Sequence, residues 1–319
     1  MLTPQDLGGI MGMMPAFATS EAGDIQATST IHVDNLKAAV DRAISDGIDV
    51  IATTGSFGEF HTLLDEELQT LAQATVEAVA KRVPLLIGCT SLNSREAIRK
   101  MRMARDAGAD GVLVGVPFYF PSTVDNAVNF YREIAELFPS LGIMIYHNPS
   151  LHHVTLPVDA VAKIAEAKNI IAMKDSHRDT STFMRLVDAT RGGLSVFCFQ
   201  GQYYPYAKLG AAGCWSIDAW MGPWPLLRLR NAIREGNDAL AREITMELTA
   251  GFEGPPDLQW RESSAKLAIA QAGYCDPGPL RPPFSIVPEA IMERVGRRVS
   301  RWQSLCDKYR PHVQARAAA

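Results

Sequence analysis

Short apolar runs alternate with longer stretches in which apolar residues recur every three or four positions, and this holds almost unbroken as far as residue 222. The runs Gly9–Ala16 (GIMGMMPA), Asp49–Ala52 (DVIA), Pro84–Gly88 (PLLIG) and Gly111–Val114 (GVLV) read as strands, and so do Gly142–Tyr146 (GIMIY), Ile170–Met173 (IIAM), Leu194–Phe199 (LSVFCF) and Gly213–Ile217 (GCWSI). Between them lie helical patterns. One starts near Asp34 with Leu36, Val40 and Ile44 on one face, and another is capped by Asp65 and carries Leu68, Leu71, Ala72, Thr75 and Val79. Further helices are predicted over Ser94–Asp106, up to about Phe138, after Pro157, and over Thr180–Asp188. Eight strands, nearly all continuously apolar and separated by helices, are what a closed parallel barrel needs, because its strands are buried on both faces. The expected fold is α/β, a (β/α)8 TIM barrel. A doubly wound sheet is the competing arrangement, but Gly8, Gly9 and Gly12 precede or interrupt the first strand instead of opening a helix on a phosphate.

From Pro223 the strands stop. Helices are predicted over Leu226–Arg234, Asp238–Thr249, Glu262–Ala272 and Pro288–Tyr309, with Pro279–Pro283 (PLRPP) as a rigid connector. Residues 1–222 are therefore the expected barrel core, and 223–319 the final barrel helix plus a C-terminal helical extension.

Composition narrows the classes. With 47% hydrophobic and 21% charged residues, the 319-residue chain has the balance of a soluble globular protein. A net charge of −4 gives no general attraction to nucleic acid, and the arginines from Arg95 to Arg105 are interleaved with Glu96 and Asp106 as on a solvated helix face. No apolar run approaches the ~20 residues of a membrane span. The N-terminal Met1–Asp6 (MLTPQD) lacks the basic and apolar regions of a signal peptide, so the cytoplasm is the expected compartment. The cysteines Cys89, Cys198, Cys214, Cys275 and Cys306 are odd in number and widely spaced, which suits neither a zinc site nor a disulfide framework.

In a barrel of this kind the chemistry sits at the C-terminal ends of the strands. Those ends offer Ser56 and Glu59 after the second strand, Tyr119 after the fourth, Tyr146 and Lys174 at the fifth and sixth, and Trp215, Ser216 and Asp218 at the eighth. Lys174 closes an apolar run, Ile170–Met173, and a poorly solvated lysine is a candidate amine nucleophile towards ketones; the bland reading is a solvated, inert strand-end lysine. One lysine, two tyrosines and a serine suit imine chemistry, with lysine attacking and tyrosine moving protons. Glu59 with His61, and the run Asp175–Asp179, contain metal-ligand residue types, but adjacent loop residues point in scattered directions and specify no cage. No metal and no organic cofactor is expected.

Four motifs carry a resemblance. Gly55-Ser56-Phe57-Gly58-Glu59-Phe60-His61-Thr62-Leu63, Tyr146-His147-Asn148-Pro149, Ile171-Ala172-Met173-Lys174-Asp175 and Leu209–Ser216 fall in the order and spacing of the dihydrodipicolinate synthase and N-acetylneuraminate lyase superfamily, class I pyruvate aldolases. Trp215–Pro223 and Gly278–Phe284 bring the chain closer to that superfamily's hydratase-aldolases of aromatic catabolism, which act on trans-o-hydroxybenzylidenepyruvate and trans-2'-carboxybenzalpyruvate. The resemblance implies a covalent imine at Lys174, proton transfer by Tyr146 with Ser56 as relay, and carboxylate binding by Ser56 and the loop N–H groups from Gly55 and Phe57. It further implies substrate contacts from Asn148, Tyr119, Trp215 and Ser216, and a homotetramer in which Tyr119 reaches a neighbouring subunit. Arg261 is a candidate partner for a ring carboxylate.

Two departures from the synthases matter. Phe57 stands where their loop has a second threonine, and Leu151, His152 and His153 stand where an arginine follows the Y-N-x-P turn. Together with Phe118, Tyr119, Trp215 and Trp220, these favour a flat aryl keto acid, cleaved to an aromatic aldehyde and pyruvate, over aspartate semialdehyde. The alternatives are another class I pyruvate lyase or synthase, a metal-dependent aldolase using Glu59 and Asp175, and a non-catalytic keto-acid-binding regulator.

Overall fold

The computed structural model describes residues 1–251 and 257–317. Its strands are β1 (Gly9–Met13), β2 (Val50–Ala52), β3 (Leu85–Gly88), β4 (Gly111–Val114), β5 (Gly142–His147), β6 (Ile170–Asp175), β7 (Ser195–Phe199) and β8 (Gly213–Ser216), and they close a barrel in sequence order. The pairs from β2 to β8 are all parallel. Between the strands run α1 (Val33–Asp46), α2 (Asp65–Val79), α3 (Ser94–Asp106), α4 (Val124–Leu137), α5 (Pro149–His152), α6 (Val158–Ile164), α7 (Thr180–Thr190) and α8 (Tyr203–Ala207); after β8 come α9 (Trp224–Arg234), α10 (Asp238–Thr249), α11 (Leu258–Ala272) and α12 (Glu289–Ala317). The (β/α)8 barrel with C-terminal helices is therefore the fold. No helix among the described residues is long and apolar enough to cross a membrane.

Local chemistry explains several of the helix starts. Asn93, Thr123, Asp179 and Asn237 each accept a backbone N–H in the first turn of the helix they precede, as N-cap side chains do. At α2 the cap differs from expectation. Leu64 holds the cap position, and the Glu67 carboxylate reaches back to its N–H at 2.8 Å, leaving Asp65 as the first helical residue. The four-residue α5 and five-residue α8 were not anticipated, being too short to show a period.

The chain forms two compact units. One comprises Met1–Met11, Asp49–Gly55 and Pro84–Trp215. In it Asn169 is buried and its side-chain amide serves the carbonyls of Ala135 and Phe138 at 3.1 and 2.9 Å, tying the start of β6 to the end of α4. The other comprises Gly12–Ile48, Ser56–Val83 and Ser216–Ala319. There Trp220 is 1% exposed, packed edge-on against Phe17 and beside Gly12, so it is a core residue and not the mouth aromatic its position implied. Trp302 on α12 is equally buried and donates to the Gly222 carbonyl at 3.0 Å.

Candidate active site

Lys174 and Tyr146 are register partners on β6 and β5, and the next residues, Asp175 and His147, are partners too. Because successive strand residues face opposite sides, the lysine and tyrosine share one side and the aspartate and histidine the other. The Lys174 Nζ lies 4.2 Å from the Tyr146 ring centre and 3.9 Å from that of Trp215. Lys174 is 4% exposed, yet among the described residues its Nζ makes no hydrogen bond or ion pair. The one other buried lysine described, Lys266, has an opposite environment: its ammonium donates to the Glu59 carboxylate and to the carbonyls of Pro279 and Ala16. Lys174 thus keeps its nitrogen uncommitted, while Lys266 is fully engaged.

Trp215 is fixed by its own indole N–H, which donates to the Asp175 carbonyl at 3.1 Å, and its ring packs on Phe199. Behind Lys174 the Asp175 carboxylate is buried and takes the Arg178 guanidinium, the Arg178 N–H and the His147 ring. Burial works against its ionised form, but hydrogen bonds from His147 and His177 and the charge of Arg178 win and hold it far below the usual carboxylate range. The His147 Nε2 accepts the Leu156 N–H at 3.0 Å, which assigns the proton to Nδ1, facing Asp175 at 3.1 Å. Burial lowers His147 to about 4, against the opposing bond from Asp175, so the ring is neutral. Arg178 also donates to the Leu156 carbonyl, and the Tyr206 hydroxyl donates to the Arg178 carbonyl at 2.6 Å. The ends of β5 and β6 are therefore cross-linked by polar groups whose bonds are satisfied.

His147, Asp175 and His177 are the one cluster among the described residues with metal-ligand spacing. Both His147 nitrogens are engaged, and Asp175 is already neutralised by Arg178.

His152, in the segment where an arginine was expected to be missing, is 4% exposed and meets the Tyr146 ring edge-on at 4.8 Å and 90°. Burial, then repulsion from His147 and Lys174, push it down to about 3, against a hydrogen bond to the Tyr146 backbone. It is neutral at any ordinary pH. Phe118 lies 6.4 Å from it, ring centre to ring centre. Gly115 makes room: a Cβ there would lie 2.3 Å from the His152 ring.

The other anticipated residues are placed as follows. Gly55 and Ser56 are buried in the loop after β2, and Phe57 is 4% exposed. Asn148 is half-buried ahead of α5, and its side chain makes no capping bond. The Ser216 hydroxyl is buried and accepts the Ala219 N–H at 3.0 Å. Arg261, early in α11, is half-buried, and its Nε has no partner among the described residues. Tyr119 is 72% exposed, edge-on to Phe120, and is not gathered with Lys174. The structure brings together Lys174, Tyr146 and Trp215, and adds His152, His147 and Arg178, which sequence reasoning gave no role. The paired doublets Tyr146-His147 and Lys174-Asp175 were the available signal for the buried His147–Asp175 contact.

Comparison with known proteins places the chain in a family. The family described as "Dihydrodipicolinate synthetase family" matches residues 11–301. The chain is 31% identical to a trans-o-hydroxybenzylidenepyruvate hydratase-aldolase of Sphingobium xenophagum over 94% of each chain. It is 30% identical to a 4-hydroxy-tetrahydrodipicolinate synthase of Methanoculleus marisnigri, over 89% of this chain and 96% of that one. Among solved structures, "PhdJ bound to substrate intermediate" superposes with a TM-score of 0.91 at 29% identity, covering 97% of this chain and 99% of the other. The chain belongs to the dihydrodipicolinate synthetase family and is a lyase of the class I aldolase type.

Proposed function

We propose that the chain is a Schiff-base hydratase-aldolase that cleaves an aryl-substituted 2-oxobut-3-enoate to an aromatic aldehyde and pyruvate. The observation that carries this is the Lys174 amine, buried between the Tyr146 and Trp215 rings with no acceptor engaging it. The amine attacks the 2-keto carbon, and loss of water gives an iminium conjugated with the alkene. The iminium draws electrons from the carbon bearing the ring, where a second water adds and loses a proton; the enamine this leaves is protonated on the neighbouring carbon, which restores the iminium. Tyr146, relayed through Ser56, takes the proton of the new hydroxyl as the C–C bond breaks and its electrons pass to the lysine-bound enamine. The aldehyde leaves; protonation of the enamine and hydrolysis of the imine release pyruvate and the free amine. One iminium serves both steps, so no metal or organic cofactor is invoked.

The choice of an aryl keto acid over aspartate semialdehyde rests on His152. A neutral imidazole packed on Tyr146 supplies no cation for a distal carboxylate, whereas a buried arginine would. Trp215 and Phe118 offer flat apolar surface instead. Asn148 is assigned to orienting the added water, and Tyr119 to a neighbouring subunit of a cytoplasmic homotetramer, whose mass light scattering measures.

Pyruvate with borohydride should leave a reduced adduct on Lys174, found by mass spectrometry of the digest. Lys174→Ala should lose both the adduct and turnover of benzylidenepyruvate, followed by its ultraviolet absorbance. Activity persisting in that variant sinks the mechanism, and abolition of activity by EDTA without any trapping favours a metal-dependent aldolase. Saturable pyruvate binding without turnover of any ene-pyruvate favours the regulator. A screen of hydroxyl, carboxyl and fused-ring substrates assigns the ring substituent. A loss confined to carboxylated substrates in Arg261→Gln assigns Arg261 to it.

A further inference from the structure

Glu59 ends the Ser56–Glu59 turn in a backbone conformation, φ 53°, that side-chain-bearing residues adopt reluctantly. Its N–H donates to the Ser56 carbonyl at 3.1 Å, and its own carbonyl accepts the N–H and hydroxyl of Thr62 at 2.8 and 2.9 Å. A glycine would take this φ more easily, so the side chain must justify the glutamate. One carboxylate oxygen takes the Lys266 ammonium at 2.7 Å and the Arg281 guanidinium at 2.9 Å, and both cations are 2% exposed.

Each cation is itself anchored. Lys266, on α11, gives its other protons to the carbonyls of Pro279 (2.7 Å) and Ala16 (3.4 Å). Arg281 donates to the Thr30 hydroxyl (2.9 Å) and to the carbonyls of Ala16 (2.9 Å), Thr30 (2.9 Å) and Phe17 (3.3 Å). Thr30 in turn donates its N–H to the Glu67 carboxylate at 2.7 Å, and Glu67 also caps α2. The cluster holds two carboxylates and two cations, so it is balanced in charge, as buried ions require. Burial draws Lys266 down to about 8, with Glu59 opposing the fall, so Glu59 is what favours the ammonium form.

We propose that Lys266 and Arg281 are positioning residues: by holding Glu59 they fix the Ser56–Glu59 turn, and so set how well the enzyme binds the carboxylate of its keto acid without touching it. This rests on the reading above, in which Ser56 and the loop N–H groups receive that carboxylate. A turn no longer pinned at Glu59 relaxes from its left-handed residue, and donors aimed at a carboxylate lose their aim.

The full chain with Lys266→Met is compared with wild type by borohydride trapping at Lys174, using pyruvate in one series and acetone in the other. Acetone offers the same carbonyl chemistry without a carboxylate. The half-saturating pyruvate concentration should rise at least about tenfold, within the hundredfold that a misplacement of about 1 Å costs. Acetone trapping should stay within about twofold, and the Lys266→Met/Glu59→Gln double variant should lose less than the two single losses combined. An unchanged pyruvate half-saturation, or an equal loss with acetone, overturns the positioning role. If Lys266→Met does not fold, Glu59→Gln, which preserves the shape of the cluster, decides by the same two ratios. Wild type giving no pyruvate adduct overturns the reading of the reaction instead.

Discussion

At the scale of single residues, the indole N–H of Trp215 is the contact that sets the ring over Lys174, since it binds the carbonyl of the very next residue, Asp175. Trp215→Phe keeps an aromatic face but loses that bond. One hydrogen bond contributes about 0.5–1.5 kcal/mol, so kcat/KM should fall roughly twofold to twelvefold. Trp215→Ala, losing the face as well, should fall further; steady-state kinetics on one substrate ranks the three. The histidines give a second prediction. His147 and His152 have folded values of about 4 and about 3 against an ordinary 6.5. Between those limits the unfolded chain binds more protons, so stability rises with pH. It is complete above 6.5 and is lost as pH falls from there through the folded values. Each histidine adds a slope of roughly 1.4 kcal/mol per pH unit in that window. His152→Phe, which preserves an edge-on ring against Tyr146, should flatten the fall of the urea midpoint between about pH 6 and 4 by about one such slope. An unchanged slope would remove His152 from the account of acid lability.

At the scale of elements, the chain leaving β2 passes close against the end of β3. A Cβ at Gly88 would lie 2.2 Å from the Thr54 carbonyl oxygen and 2.6 Å from that of Thr53, both backbone atoms that cannot swing away. Gly88→Ala must therefore push the paired strands away from each other, and overpacking of that kind costs about 1–3 kcal/mol. The melting temperature should drop by several degrees; an unchanged melting curve rules out the close approach. The strands were legible because parallel barrel strands are apolar on both faces and stand out as runs, as with Gly111–Val114, where predicted and observed ends coincide. Helix α3 coincides as well, because Asn93 caps it visibly. The misses have physical causes. α5 and α8 are shorter than two turns, and the α2 cap depends on Glu67 folding back, which no local spacing announces.

At the scale of the whole molecule, the PLRPP segment shows how far a local reading reaches. It reads as a connector, yet Arg281 within it is 2% exposed and bonded to residues some 220 to 265 positions away. Glu59 and Lys266 are 207 residues apart. Neither partner could be named from the sequence. A chain whose loop is held this way should couple the two regions energetically. Arg281→Lys, which keeps the charge but not the forked donors, should lower the urea midpoint and make the Glu59–Thr62 peptide bonds more open to limited proteolysis, read by mass spectrometry of early fragments. Protection equal to wild type would sever that coupling.

What the sequence determined alone was the barrel, the strand that carries Lys174, and the order of motifs that joins the chain to its family. These depend on residue type and local period, which the chain carries openly. What only the tertiary structure decided was environment. Lys174 and Lys266 are both buried lysines, but one faces aromatic rings without an acceptor and the other gives every proton to oxygen. Trp220 and Trp215 are both aromatics near β8, but one packs in the core and the other over the amine. The reason is the same in each case: solvation and partner charge are set by atoms distant in sequence, and no local pattern encodes which of them arrive.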